Sequence, residues 1–141
     1  MANPILFPQV QRPMRNLLRP LSAPAEGMAI EQKFLEVIAN NIANVETTHT
    51  PEGGAYRRQI AVTERDPASG QMVTRIVEDT QPGRKVYDPG HPDADKDGFV
   101  TYPNVDLSSE MVDLMLARRI HEANASVFQA AKSMLKRALD I

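Results

Sequence analysis

The sequence predicts a mainly α-helical fold in which a small β-rich insert lies between two helices. The last third of the chain has no proline or glycine after Pro103, and residues 25–45 repeat apolar side chains at three- and four-residue steps. Between these segments lie two β-rich runs separated by turn residues. Aromatic residues make up only 5% of the chain, which favours helix-on-helix packing over a compact mixed core.

The segment from Asp106 to Ile141 is predicted to form one helix, because it is rich in residues that lose little conformational freedom in a helix. Asp106 is the expected N-cap. Its first apolar stripe consists of Leu107, Met111, Leu114, Ala117, His121, Asn124, Phe128, Ala131, Leu135 and Ala138. Its second stripe consists of Val112, Leu116, Ile120, Ala123, Val127, Ala130, Met134 and Ile141. Two stripes form a broad face that needs neighbours on more than one side.

The predicted helix is also too long for the globule that this chain would form. About 35 residues at about 1.5 Å each give a length of about 50 Å. A compact domain of 141 residues would have a diameter of roughly 37 Å. Either the helix folds back, which nothing in its sequence indicates, or it protrudes and other chains cover it.

Residues 1–21 form a proline-rich basic arm, with four prolines and three arginines and no acidic residue. Proline blocks regular helix, so we expect an extended arm with at most a short turn near Met14–Leu18. Two interpretations remain open. The arm is a tail that is disordered or orders on assembly, or it crosses onto a neighbouring subunit or reaches acidic phospholipid.

A second helix is predicted over residues 25–45. Its two stripes are Met28, Leu35, Ile38, Ile42 and Val45, and beside them Ile30, Phe34 and Val37. Asn40, Asn41 and Asn44 are unusual near the end of an apolar helix. They either cap and fray its C-terminus or make inter-helix hydrogen bonds that set the register.

Residues 49–104 are predicted to form the β-rich insert. Strands are expected at Tyr56–Thr63 and Met72–Val77, joined by a turn over Glu64–Gln71. Short strands are also expected near Lys85–Tyr87 and Phe99–Tyr102. An insert of this size is marginal alone, so it needs the helices or other subunits for support.

Composition excludes several classes of function. The chain has no cysteine, which removes disulfides and thiol chemistry, and its net charge of −2 shows no nucleic-acid signature. No apolar run has the length of a membrane span, and prolines interrupt the N-terminus where a cleavable secretory signal would need an apolar core. No catalytic motif is present. We therefore predict no enzyme activity and no small-molecule substrate.

One motif suggests metal chemistry. Residues 93–100 match the first eight positions of a calcium-binding loop, with Asp93, Asp95 and Asp97 at alternate positions. Asn104 stands where a bidentate glutamate is required, and no helix can precede the loop. An aspartate-rich turn explains the same residues, so we assign no metal site and no cofactor. Of the three histidines, His121 on the apolar face is expected to be packed and hydrogen-bonded.

Several runs resemble the bacterial flagellar axial proteins of the rod and hook, and in detail those of the proximal rod. The similar runs are residues 36–48 (EVIANNIANVETT), 50–59 (TPEGGAYRRQ), 86–95 (VYDPGHPDAD), 98–105 (GFVTYPNV) and the C-terminal helix to Ile141. His121 stands where that family usually has a tyrosine. The resemblance extends from about Gly27 to Ile141.

The resemblance implies that residues 22–48 and 105–141 pair as an elongated, coiled-coil-like unit, with the insert packed outside it. It implies a structural subunit of the periplasmic flagellar rod, exported by the flagellar type III apparatus without a cleavable signal peptide. The rod would transmit torque and enclose the export channel. Its expected partners are copies of itself, other rod proteins, and nearby ring and export components. The expected interface residues are Leu35, Ile38, Asn41, Ile42, Asn44, Leu114, Ile120, His121, Asn124, Val127, Phe128, Ala131, Met134 and Leu135.

Two alternatives remain at this point. One is a calcium-responsive adaptor that uses Asp93, Asp95 and Asp97. The other is a coiled-coil scaffold unrelated to flagella.

Overall fold

The described part of the chain forms two long helices with four short strands between them in the sequence. The computed structural model describes residues 12–140. The elements are α1 (Arg12–Ala43), β1 (Gln59–Arg65), β2 (Met72–Glu78), β3 (Lys85–Tyr87), β4 (Phe99–Thr101) and α2 (Leu107–Leu139). This order confirms the predicted fold class. The first eleven residues of the predicted arm, and Ile141, lie outside the described residues. Within residues 12–140, neither helix is apolar enough along its length to cross a membrane.

The two helices pack against each other in antiparallel orientation. Near the end of α1, Asn41 hydrogen-bonds Glu110 at the start of α2, and earlier in α1 a Cβ on Gly27 would lie 2.9 Å from the Asn124 amide nitrogen. Fourteen residues separate the two contacts along each helix, which is two heptads. The pair therefore has the elongated, coiled-coil-like form that was expected.

The start of α1 corrects the prediction for the arm. Residues 12–21 were expected to be extended, but α1 begins at Arg12 and continues through Pro20 and Pro24. Each proline removes one helical hydrogen bond. Pro24 is nevertheless buried and Leu21 is half-buried, so the covered face of α1 extends upstream into this segment. Tertiary packing of an amphipathic face outweighs local propensity here.

Strands β1 and β2 form the predicted hairpin. They pair antiparallel, with Ala61 opposite Ile76 and Thr63 opposite Thr74, and the two threonine hydroxyls lie 2.9 Å apart. Ala61 is buried. The hairpin lies along α1, since the Asn41 side chain donates to the Gln59 carbonyl and the Met72 amide donates to the Glu26 carboxylate. The insert is therefore supported by the helix pair, as its size requires.

Strands β3 and β4 form a second, smaller ribbon that leads into α2. Val86 pairs with Val100, whose side chain is fully buried. Tyr87 packs edge-to-face on Phe99 with ring centroids 5.3 Å apart. This ribbon and its turn account for the two short strands that the sequence predicted.

The start of α2 carries the expected N-cap. The Asp106 side chain accepts hydrogen bonds from the backbone amide and hydroxyl of Ser109, at 3.2 and 2.5 Å. The Ser109 hydroxyl contributes most, and then its amide, to holding the pKa of Asp106 below its usual value. A carboxylate at this position also interacts favourably with the helix dipole.

This cap predicts a pH dependence. A folded-state pKa below the unfolded one means that the stabilisation is present above about pH 4 and is lost as the pH falls through the lower, folded value. We expect thermal unfolding of the native chain to lose more stability on acidification than that of Asp106→Asn, which keeps a capping oxygen but does not titrate. Melting followed by circular dichroism between about pH 6 and about pH 2.5 measures this. Identical pH dependence for the two proteins would contradict it.

Candidate subunit interface and polar junction

A buried polar cluster connects α1, α2 and the hairpin, and we call it the polar junction (Asn41, Tyr56, Arg58, Gln59 and Glu110). At its centre, the Asn41 amide donates to the Gln59 carbonyl at 2.9 Å and to the Glu110 carboxylate at 3.3 Å. The amide oxygen of Asn41 accepts from the Tyr56 hydroxyl at 3.0 Å and from the Gln59 amide at 2.8 Å. Asn41 is 1% exposed, and all four of its hydrogen-bonding positions are used.

An ion pair completes the junction. Arg58 Nε donates to Glu110 Oε1 at 2.6 Å, and the Glu110 side chain is 1% exposed. The same guanidinium lies 3.9 Å from Asp79, which also accepts a hydrogen bond from Asn104 at 3.4 Å. A carboxylate this deeply buried requires a charged partner. Arg58 therefore ties β1 to the first turn of α2.

The Tyr56 hydroxyl belongs to the same cluster. Burial, followed by the negative charges of Glu110 and Glu78, raises the pKa of Tyr56 above its usual value of 10.0. The phenol therefore stays protonated and donates to Asn41 throughout the physiological range. The junction is held together by hydrogen bonds and an ion pair.

The three asparagines at and just after the end of α1, Asn40, Asn41 and Asn44, divide between the two interpretations. Asn41 makes inter-helix hydrogen bonds, whereas the Asn44 side chain donates to the Asn40 carbonyl at 2.9 Å and accepts from the Thr47 hydroxyl at 3.1 Å, which is a local helix-end arrangement. Asn40 is exposed. Of these three asparagines, only Asn41 makes a contact that can set the register between the two helices.

The Asn41 contacts predict a large loss of stability on truncation. Asn41→Ala would leave the Tyr56 hydroxyl and both backbone groups of Gln59 without partners in a buried site. Each such orphan costs about 1–3 kcal/mol. We expect the variant to lose about 3 kcal/mol in urea unfolding. The neighbouring exposed Asn40→Ala is the matched control and should change stability by less than about 0.5 kcal/mol. Equal effects of the two substitutions would contradict the role of Asn41.

The predicted interface residues occupy two kinds of position. Within this chain the buried ones are Ile38, Asn41 and Ala131, and the half-buried ones are Leu35, Ile42, Asn44, Leu114, His121, Asn124, Phe128 and Leu135. These residues lie in or beside the contact between α1 and α2. The exposed ones are Ile120, Val127 and Met134, with 40%, 57% and 63% of their surface exposed. Contact of any of them with a second subunit stays a prediction.

His121 points inward, as its position on the apolar stripe predicted. Its Nδ1 atom is buried and has no hydrogen-bond partner among the residues that the structure describes. The hydrogen bond that was expected for this histidine is therefore missing at that atom.

The aspartate-rich loop uses its side chains locally. Asp93 accepts from the Thr48 hydroxyl at 2.7 Å, and Asp95 accepts from the amides of Asp97 and Phe99 at 3.0 and 2.9 Å. Gly98 has φ +83°, a left-handed conformation that favours glycine. In the described part of the chain, no three histidine or carboxylate side chains are grouped so that they could hold a metal ion. The hydrogen bonds are those of an aspartate-rich turn.

Sequence reasoning missed Arg58, Tyr56 and the burial of Glu110. In the sequence, Glu110 is recognisable only as an acidic residue near the N-terminus of the predicted helix, where a negative charge is favourable. Its partner Arg58 lies 52 positions earlier in the chain, and its partner Asn41 lies 69 positions earlier. No local pattern marks such a pairing.

Two family models match the two halves of the helix pair. The model described as "Flagella basal body rod protein" matches residues 22–48, which include the second half of α1 and the turn after it. The model described as "Flagellar basal body rod FlgEFG protein C-terminal" matches residues 96–141, which include β4 and all of α2. Asn41 lies in the first match and Glu110 in the second.

Curated relatives match over nearly the whole chain. The chain is 38% identical to the "Flagellar basal-body rod protein FlgC" of Borreliella burgdorferi, with 89% of this chain and 97% of that protein covered. It is 37% identical to the FlgC of Salmonella typhimurium, with the same shares covered. It is 32% identical to the FlgC of Bacillus subtilis, with 86% and 95% covered.

The chain therefore belongs to the flagellar basal-body rod protein family and is a structural subunit of that rod. Within the family it is of the FlgC type, to whose members it is similar over most of its length.

Proposed function

We propose that this chain polymerises with copies of itself and with other rod proteins into a periplasm-spanning shaft that transmits torque and encloses the export channel. The observation that carries the proposal is the exposed row Ile120, Val127 and Met134 on α2, a helix whose other face is already covered by α1. Large apolar side chains arranged in such a row mark a surface for contact with another chain.

We propose that different segments of the chain occupy different positions in the rod. The paired terminal helices, residues 22–48 and 105–141, form the inner tube, and residues 49–104 form the part that packs outside it. Residues 1–11, the part of the predicted arm that precedes α1, are proposed to reach a neighbouring subunit. The polar junction supports this arrangement, because it ties the insert to both helices by Asn41 and Arg58.

The proposed role is structural throughout, with no enzymatic activity. Its support is the polar junction, in which the side chains of Asn41, Tyr56, Arg58 and Glu110 are used for hydrogen bonds or an ion pair. Ring and export components of the basal body are proposed as further neighbours, and the flagellar type III apparatus as the route of export. Mass spectrometry of the N-terminal peptide from isolated rods tests whether export occurs without cleavage.

Deletion and complementation test the proposal as a whole. We expect a strain without this chain to be non-motile and to yield basal bodies without a complete rod. Expression of the native chain should restore both. Electron cryo-microscopy of the restored basal bodies should place the helix pair closer to the rod axis than the insert. A complete rod in the deletion strain would overturn the proposal.

A further inference from the structure

The exposed face of α2 has a complementary surface on α1, and we propose that the two meet between successive copies of this chain. In this arrangement the α2 helix of one copy packs on the outer face of the α1 helix of the next. The inference rests on the proposed rod function and adds to it the two surfaces in contact and their order.

The surface on α2 is a row of mixed large and small apolar side chains, and its first two members border the groove between the helix pair and the hairpin. It consists of Leu116, Ile120, Ala123, Val127, Ala130 and Met134, and all six are exposed. Their spacing alternates between four and three residues over nineteen residues, which is the heptad spacing of a helix-packing seam. We call this row the α2 outer seam.

The surface on α1 has the same spacing, and four of its six residues are alanines. It consists of Ala25, Ala29, Gln32, Glu36, Ala39 and Ala43, and again all six are exposed. The steps are four, three, four, three and four residues, as in the α2 outer seam. We call this row the α1 outer seam. Leucine, isoleucine, valine and methionine on one helix can insert between alanines on the other, because large and small residues interdigitate across a helix contact.

The distribution of charge favours α1 of a second copy over α2 of a second copy as the partner of the α2 outer seam. Between residues 118 and 137, α2 carries Arg118, Arg119, Lys132, Lys136 and Arg137 against a single Glu122. Two such helices in contact would repel each other. Between residues 25 and 43, the span of the α1 outer seam, α1 carries three glutamates and one lysine. A contact between the two seams therefore pairs a basic stretch of α2 with an acidic stretch of α1, and electrostatic complementarity of this kind selects the partner.

The proposed contact also determines the type of assembly that successive copies form. The two seams lie on different helices, so a contact between them uses different patches on the two subunits. Each added copy then presents a free seam to the next one. A contact of this heterologous kind continues into an open helical assembly unless its rotation closes a ring.

Cysteine cross-linking tests the proposal cleanly, because the chain has no native cysteine. One copy would carry Val127→Cys, and a second, differently tagged copy would carry Ala25→Cys, Ala29→Cys, Ala39→Cys or Ala43→Cys. Both would be expressed in the deletion strain, and basal bodies would be oxidised before electrophoresis. A disulfide needs Cβ atoms about 4 Å apart, so we expect one or two adjacent α1 positions to give a mixed-tag dimer.

Matched controls decide between the arrangements. Gln129→Cys lies two residues from Val127, on about the opposite side of α2, and should give at least about tenfold less dimer. Each single variant expressed alone should give none. A Val127→Cys homodimer would overturn the proposal in favour of α2–α2 packing, and a cross-link to a different protein would overturn it in favour of another rod component. Absence of any cross-link in motile, complemented cells would overturn the seam assignment while leaving the rod function intact. Failure of the native chain to complement would instead refute the proposed function.

Discussion

Replacing Arg58 with methionine is expected to destabilise the folded chain by about 3 kcal/mol. The substitution keeps much of the side-chain volume but leaves the Glu110 carboxylate, which is 1% exposed, without its charged partner. Removing one partner of a buried ion pair costs about 3–5 kcal/mol, and the lower end applies because the Arg58 side chain is 27% exposed. Urea unfolding of the purified chain, followed by circular dichroism, gives the number.

Two further variants isolate the cause. Arg57→Met changes the exposed neighbour by the same side-chain exchange and should leave stability within about 0.5 kcal/mol of the native value. Adding Glu110→Gln to Arg58→Met removes the stranded charge while preserving an acceptor for Asn41, so we expect it to recover part of the loss. A double variant less stable than Arg58→Met alone would show that the charge is not the cause.

The second large effect is expected at Val127. Val127→Asp places a charge in the α2 outer seam at a side chain that is 57% exposed within one chain. We expect the isolated chain to fold with nearly native stability, because an exposed side chain makes few contacts. Rod formation and motility should be lost, since a buried and unpaired carboxylate at a subunit contact costs several kcal/mol.

Two neighbouring positions separate assembly from folding. Phe128→Asp changes a half-buried residue of the helix pair, so it should reduce both the stability of the isolated chain and rod formation. Gln129→Asp introduces the same charge on the opposite, exposed side of α2 and should leave both intact. Normal rods with Val127→Asp would show that neighbouring subunits do not cover this surface.

The sequence alone was sufficient for the elements whose signals are local. The unbroken periodic segment after Asp106 predicted α2, and the two β-rich runs joined by the turn over Glu64–Gln71 predicted the hairpin. The N-cap at Asp106 followed from residue type and position. Each of these features depends on residues within a few positions of one another.

The remaining features depend on contacts that are distant in the chain. Residues 12–21 were expected to be extended because of their prolines, and the structure shows helix because Leu21 and Pro24 are covered by tertiary packing. The choice between the two interpretations of Asn41 required its partner Glu110, 69 positions away. Local propensity is a weak prior that such packing overrides. The polar junction could not be assembled from the sequence for the same reason.

The attachment of the hairpin to α1 has a mechanical consequence. Asn41 holds the Gln59 end of the hairpin and Glu26 holds the Met72 end, fifteen residues apart on one helix. A sideways load on the outer part of the subunit would thus enter the helix at two anchors about 22 Å apart. Two attachment points resist rotation of the hairpin relative to α1, whereas a single attachment point would allow that rotation.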